Sequence, residues 1–155
     1  MKKTRIIIVS ANYYPDISNN MEQDVSKYLH NNYSENIRDL KKLLPGLGWL
    51  TINVPGVFEI PVTIAKNIKK CDAFIALGCV IKGKTAHFDL ISQAVTRAIM
   101  DLSIKYKKPI GNGIIACFNK EQAMKRAFNT KKNNKGGEAA RAVLSVLGIL
   151  KNESK

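Results

Sequence analysis

Four short, almost unbroken apolar runs alternate with longer stretches of helical periodicity, and no other feature restricts the fold of this chain so strongly. The runs are Arg5 to Ser10, Trp49 to Val54, Ala73 to Ile81 and Ile110 to Phe118. Strands that are apolar on both faces belong to a parallel sheet covered on both sides. Parallel strands also need long crossover connections, and the intervening helical patterns supply them.

The clearest of these patterns lies between the last two runs. There Ile91, Ala94, Val95, Ala98, Ile99, Leu102 and Tyr106 fall on one helical stripe, with Gln93, Arg97, Asp101 and Lys105 opposite. Pro109 requires this helix to have ended before it. A second amphipathic helix is expected from about Gly137 to Leu150, burying Ala140, Val143, Leu144 and Leu147. Shorter helices are expected over Ile60 to Lys69 and Gln122 to Phe128. Met21, Val25, Tyr28 and Leu29 mark one after the first run, and 31–48 shows no clear pattern. With 155 residues and neither repeat nor linker, one domain is expected. The fold class is α/β: a three-layer α/β/α sandwich on a four-stranded parallel sheet with right-handed, flavodoxin-like winding.

Several function classes fall away on composition. The longest apolar run, around Ala73 to Ile81, is far short of the roughly 18 residues of a membrane span, so no membrane partner is expected. The start, Met1-Lys2-Lys3 and then Ile6 to Ala11, is too short in its apolar part for a signal peptide and reads as a buried strand. Cys71, Cys79 and Cys117 form no Cys-x-x-Cys pair, which fits free, buried thiols in a reducing cytoplasm. The net charge of +13 invites a nucleic-acid reading, yet it comes from 20 Lys and only 5 Arg. Arginine is the residue of phosphate forks and base readout. The densest cluster, Lys131-Lys132-Asn133-Asn134-Lys135, carries no aromatic residue on which a base would stack. Most of the lysines therefore read as a solvated surface, and no nucleic-acid partner is expected.

In a doubly wound sheet, ligands bind beyond the carboxyl ends of the strands. Four loops lie there: Ala11 to Asp16, Pro55 to Glu59, Lys82 to His87, and the region around Asn119. The third reads Gly83-Lys84-Thr85-Ala86-His87-Phe88-Asp89. Gly83 permits a turn, Thr85 or a neighbour caps the helix, and first-turn N–H groups favour an anion such as phosphate. His87 stands at this helix start, where an imidazole moves protons in either direction near neutral pH. Taken alone, such a histidine is more often structural or solvated. Val54-Pro55-Gly56-Val57-Phe58-Glu59-Ile60-Pro61 brackets a carboxylate with prolines and a glycine. Glu59 by itself reads as serving the helix dipole. Phe58, on the residues alone, reads as core.

Four segments in order carry more than these local signals. They are 54–61, 76–89 (Ala-Leu-Gly-Cys-Val-Ile-Lys-Gly-Lys-Thr-Ala-His-Phe-Asp), 121–127 (Glu-Gln-Ala-Met-Lys-Arg-Ala) and 134–140 (Asn-Lys-Gly-Gly-Glu-Ala-Ala). Together they resemble the 6,7-dimethyl-8-ribityllumazine synthase family of riboflavin biosynthesis. The resemblance implies condensation of 5-amino-6-(D-ribitylamino)uracil with 3,4-dihydroxy-2-butanone 4-phosphate, releasing phosphate and water, without metal or organic cofactor. It implies that His87 transfers protons and that Arg126 pairs with the substrate phosphate, in a loop site with Lys84 and Thr85. Val57, Phe58 and Glu59 would hold the ribityl chain, and Cys79, Val80 and Ile81 would meet the pyrimidine. Tyr13 would lie against the heterocycle and Lys135 near the ribitylamino substrate. The family's sites form between neighbouring subunits of a pentamer, so a homopentamer or a higher assembly of pentamers is implied.

The chain departs from the family pattern at two places. Asn112 stands where many relatives have an aromatic residue on the strand that comes from the neighbour, leaving a backbone or amide contact to the pyrimidine. Pro15 and Asp16 follow Tyr13 in place of the commoner Asn-Glu-Phe pattern. The competing reading is a noncatalytic lumazine- or flavin-binding protein of the same fold, which loss of His87 or Arg126 would favour. Both are present.

Overall fold

The computed structural model describes residues 4–32, 48–128 and 134–148. Within them, β1 (Arg5–Ala11) leads to α1 (Pro15–Asn32), and β2 (Gly48–Val54) leads through a 3-10 turn (Val57–Glu59) into α2 (Ile60–Asn67). Then follow β3 (Ala73–Ile81), α3 (His87–Tyr106), β4 (Ile110–Cys117), α4 (Lys120–Ala127) and α5 (Lys135–Leu147). The strands pair in the order β2-β1-β3-β4, every pair parallel. This is the expected three-layer sandwich, with each strand within a residue of its predicted limits. The order reverses direction between β1 and β3, and the crevice beyond their carboxyl ends is where such sheets place a ligand.

The side chains of β1 and β3 divide the core in two. Ile6 and Ile8 of β1 and Ile75, Leu77 and Cys79 of β3 face α1, α4 and α5, where Met21, Val25, Ala123, Ala140 and Leu144 meet them. Ile7, Val9, Phe74, Ala76 and Val80 face α2 and α3, where Ile60, Ile64, Val95 and Ile99 close the second layer. Side chains such as Phe74, Ile75 and Leu77, buried on both faces of one strand, each contribute roughly 1.5–3 kcal/mol. At Gly78, β3 admits no side chain. A Cβ there would lie 2.5 Å from Val57 Cγ1 and 3.3 Å from the Ala11 Cβ, so the 3-10 turn packs directly on the strand.

Helix boundaries differ from expectation for identifiable reasons. α1 begins at Pro15 instead of near Met21, because a proline is tolerated in a first turn and Asp16 favours the helix dipole there. α5 begins two residues before Gly137, since Asn134 caps it through both Gly136 N and Gly137 N. Its described end is Leu147, with Gly148 in the left-handed C-cap conformation; residues 149 and 150 of the expected helix lie outside the described residues. α3 ends at Tyr106 and is capped by Lys107, whose φ of 53° is the one positive value among the described non-glycine residues. Lys108 N then bonds to Ser103 O at 3.1 Å and Ser103 Oγ to Lys108 O at 2.8 Å, locking the turn before Pro109.

The expected stripe of α3 is covered only in part. Val95 and Ile99 are buried, whereas Ile91, Ala98, Leu102 and Tyr106 are half-buried and Ala94 is exposed. Leu90, Met100 and Ile104 on the same helix are exposed as well. Phe58 is a correction. Read alone as core, it is 62% exposed, because the 3-10 turn spends its inward position on Val57. All three cysteines are free and buried. Among the described residues, no helix is long and apolar enough to cross a membrane.

Candidate active site

The carboxyl ends of β1, β2 and β3 open into a cavity of about 550 Å³. Its walls come from four elements in the expected loops. The β1 end gives Tyr13 and Tyr14, and the turn after β2 gives Gly56, Val57, Phe58 and Glu59. The end of β3 gives Cys79, Val80 and Ile81, and the first turns of α3 give His87 and Ile91. Eight of the residues singled out from sequence therefore meet in one place.

The local structure explains how each reaches it. The 3-10 turn is set down on β3 at Gly78, burying Val57 and leaving Phe58 and Glu59 at the rim. Glu59 is the N-cap of α2 but its carboxylate makes no capping bond. It folds back over Gly56, whose hypothetical Cβ would be 3.1 Å from Glu59 Oε2. The carboxylate is thus part of the cavity wall. His87 is the first residue of α3 and is exposed. Ala86, not Thr85, occupies the N-cap, yet Thr85 Oγ1 accepts a bond from His87 N at 3.3 Å and so partly does the capping.

Tyr14 and Ile91 are cavity residues that sequence reasoning missed. Ile91 lies one helical turn after His87, and the i, i+4 rule alone would have put it on the same face. Tyr14 is half-buried and meets the exposed Tyr13 edge to face, with ring centroids 4.9 Å apart. Burial, with the Cys79 thiol second, pushes the Tyr14 hydroxyl up from its ordinary value, so at neutral pH it remains a donor. The Lys120 ammonium stands 6.0 Å over the Tyr14 ring and 3.2 Å from Asp16 Oδ2. Cys79 is neutral too: burial first, and then the neighbouring Cys117 thiol, push it up to about 12. A thiol in that state is packing surface and no nucleophile.

The other five residues lie elsewhere. Lys84 and Thr85 sit on the exposed loop that leads into His87. Asn112 is exposed on β4, its Oδ1 accepting from Ile114 N at 3.1 Å. Arg126 is exposed on α4, where its Nη1 donates to Ala116 O at 3.2 Å. Lys135 opens α5 and is half-buried. Asn112 lies on β4, the edge strand opposite β2, and Arg126 and Lys135 lie on the two helices that follow it; the Arg126 charge reaches the Cys79 thiol at the cavity.

Aromatic and aliphatic walls with one carboxylate, two phenols and one imidazole suit a flat polar ring bearing hydroxyls and a reaction that moves protons. A doubly wound α/β enzyme working on a small molecule is the class that this fold and site define. The 6,7-dimethyl-8-ribityllumazine synthase family matches residues 3–151. A relative from Rhodopseudomonas palustris (strain BisA53), named 6,7-dimethyl-8-ribityllumazine synthase, is 40% identical over 97% of this chain and 88% of its own length. Proteins of the same name from Bartonella tribocorum and Agrobacterium fabrum are 39% and 36% identical, over 97% of this chain in both cases and 92% and 97% of their own lengths. The chain belongs to the 6,7-dimethyl-8-ribityllumazine synthase family.

Proposed function

We propose that this cavity is where 5-amino-6-(D-ribitylamino)uracil and 3,4-dihydroxy-2-butanone 4-phosphate are joined to give 6,7-dimethyl-8-ribityllumazine, phosphate and water. This is the transferase step of riboflavin biosynthesis to which the family belongs. The observation that carries the residue assignment is the meeting of Tyr13, Glu59 and His87 around one cavity at the carboxyl ends of the strands. Tyr13 lies against the heterocycle and the segment Val57 to Glu59 holds the ribityl hydroxyls. Cys79, Val80 and Ile81 face the pyrimidine.

The primary amine attacks the ketone and an imine forms. A proton then leaves the adjacent carbon, phosphate departs, and the second amine closes the ring. His87, exposed at the rim, carries protons at successive stages, an effect on the order of 100-fold or more. Departure of phosphate builds negative charge, which Arg126 meets with a charge-assisted bond beside Lys84, Thr85 and the N–H groups of the α3 start. Holding both substrates together supplies much of the remaining rate.

Arg126, Asn112 and Lys135 stand outside the cavity of their own chain, while Leu90, Met100 and Ile104 leave an apolar strip on α3. Both observations favour association of copies in which β4, α4 and α5 of one complete the cavity of the next, and the family resemblance makes that assembly a homopentamer, alone or in a larger assembly. Free buried thiols fit a cytoplasmic location. Mixing the purified protein with both substrates and following lumazine absorbance and fluorescence tests the activity. No product above the uncatalysed background refutes it, and tight lumazine or flavin binding without turnover would indicate the noncatalytic alternative.

A further inference from the structure

Asn134 is one of three polar residues buried among those described, and it lines no part of the cavity. Every polar atom of its side chain is used. Oδ1 accepts from Gly136 N at 2.9 Å and from Gly137 N at 3.2 Å; Nδ2 donates to Ala127 O at 2.7 Å and to Asn20 O at 3.2 Å. Its own backbone N donates to Asp24 Oδ2 at 2.8 Å. Asn20 Nδ2 also donates to Ala127 O. One buried amide therefore ties α1, α4 and α5 together. The approach is close, since a Cβ on Gly136 would lie 2.6 Å from Met21 O.

A helix cap needs only the oxygen, which serine, threonine or aspartate also provides. The two donors toward α1 and α4 require an amide. The Nδ2 groups of Asn134 and Asn20 converge on Ala127 O, the carbonyl of the last residue of α4, in the turn whose carbonyls have no partner within the helix. Arg126 is the preceding residue. Among the described residues its guanidinium is tethered by a bond to Ala116 O, so the direction in which it leaves α4 depends on how that last turn is held.

We propose that Asn134, assisted by Asn20, is a positioning residue for Arg126, clamping the end of α4 so that the guanidinium is aimed at the substrate phosphate. This rests on the reading that Arg126 pairs with that phosphate. The probe is inorganic phosphate as an inhibitor competing with the butanone phosphate, measured beside both KM values and the melting temperature. Arg126→Ala tests the underlying reading first. An unchanged phosphate inhibition constant in that variant overturns the phosphate role of Arg126.

With that role upheld, Asn134→Ser keeps a cap oxygen and loses both donors. It is expected to raise the phosphate inhibition constant and the KM for the butanone phosphate by roughly threefold to tenfold, the scale of a modest loss of positioning. The KM for the ribityl substrate should stay within about twofold, because the serine oxygen still caps α5 and keeps Lys135 in place, and the segment Val57 to Glu59 is untouched. In the Asn134→Ser/Arg126→Ala double variant the second substitution should add nothing, as expected for residues acting through one contact. Asn20→Ala, which leaves the cap intact, should act in the same direction and carries the test if Asn134→Ser does not fold. A folded Asn134→Ser or Asn20→Ala protein with wild-type phosphate inhibition, or an effect that multiplies with that of Arg126→Ala, overturns the positioning role.

Discussion

Replacing Gly78 by alanine would ask whether the ribityl side of the cavity is held by direct packing of the 3-10 turn on β3. The added methyl would lie 2.5 Å from Val57 Cγ1, 3.3 Å from the Ala11 Cβ and 3.6 Å from Ile60 Cδ1. Carbon atoms pack at about 3.5–4.0 Å, so Val57 must retreat by about 1 Å or more. Ala11 lies in β1 and gives little. Overpacking of this kind costs about 1–3 kcal/mol, and the reduced freedom of the unfolded chain returns about 0.4–1 kcal/mol. The net expectation is a loss of about 1–2 kcal/mol, read as a melting temperature lowered by roughly 2–8 °C at fixed protein concentration. Val57 stands between Gly56 and the pair Phe58 and Glu59, so its retreat should also raise the KM for the ribityl substrate more than that for the butanone phosphate. Truncating the clashing partner supplies the internal check. Gly78→Ala/Val57→Ala should be more stable than the two single effects combined predict, by about 1 kcal/mol, since the residues touch. Additive losses, or a Gly78→Ala protein with unchanged melting and KM values, would refute the packing argument.

Arg126→Ala should reduce turnover at saturating substrate by about a hundredfold, the scale of removing one oxyanion-type contact. His87→Ala should cost less, because water and buffer reach an exposed imidazole site; equal or inverted losses in the steady-state rates would count against this division. Burial holds Cys71 and Cys79 up to about 12, above their unfolded values, so the folded state keeps protons that the unfolded chain releases. Their stabilisation is complete below the unfolded pKa of about 8.5 and is lost as pH rises toward 12. Urea midpoints should therefore fall across that window, and Cys71→Ala should show a shallower fall. Met100→Glu/Ile104→Glu, on the exposed strip of α3, should reduce the mass seen by light scattering while leaving the far-ultraviolet circular dichroism intact. Retention of the full mass would show that this strip is not between subunits.

β3 could be read from sequence because its nine residues are apolar and bury both faces, a pattern that needs no knowledge of neighbours. The start of α5 could not. Gly136 and Gly137 look like a break, and what makes them helical is Asn134, whose contacts on Asp24 and Asn20 are more than a hundred positions away. Phe58 illustrates a second limit: apolar character marked it for the core, but a 3-10 turn has room inward for one side chain and Val57 takes it. In the cavity, the strand-end rule and the ordered segments brought Tyr13, Glu59 and His87 together. Tyr14 was missed because its role depends on how the chain turns after β1. Arg126 and Lys135 could be named from their segments and Asn112 from its strand, but that none of the three lines the cavity of its own chain depends on how β4 and the helices after it pack, which a sequence pattern does not give.

Lys107 shows that the chain is not tuned to its limit. A lysine at φ 53° carries about 1–2 kcal/mol that a glycine would not, and the turn it makes is already secured on both sides by Lys108 and Ser103. The position is remote from the cavity, at the opposite end of the 20-residue α3. A single substitution could therefore move melting without touching catalysis, so selection has left this enzyme's thermal ceiling below what its architecture permits.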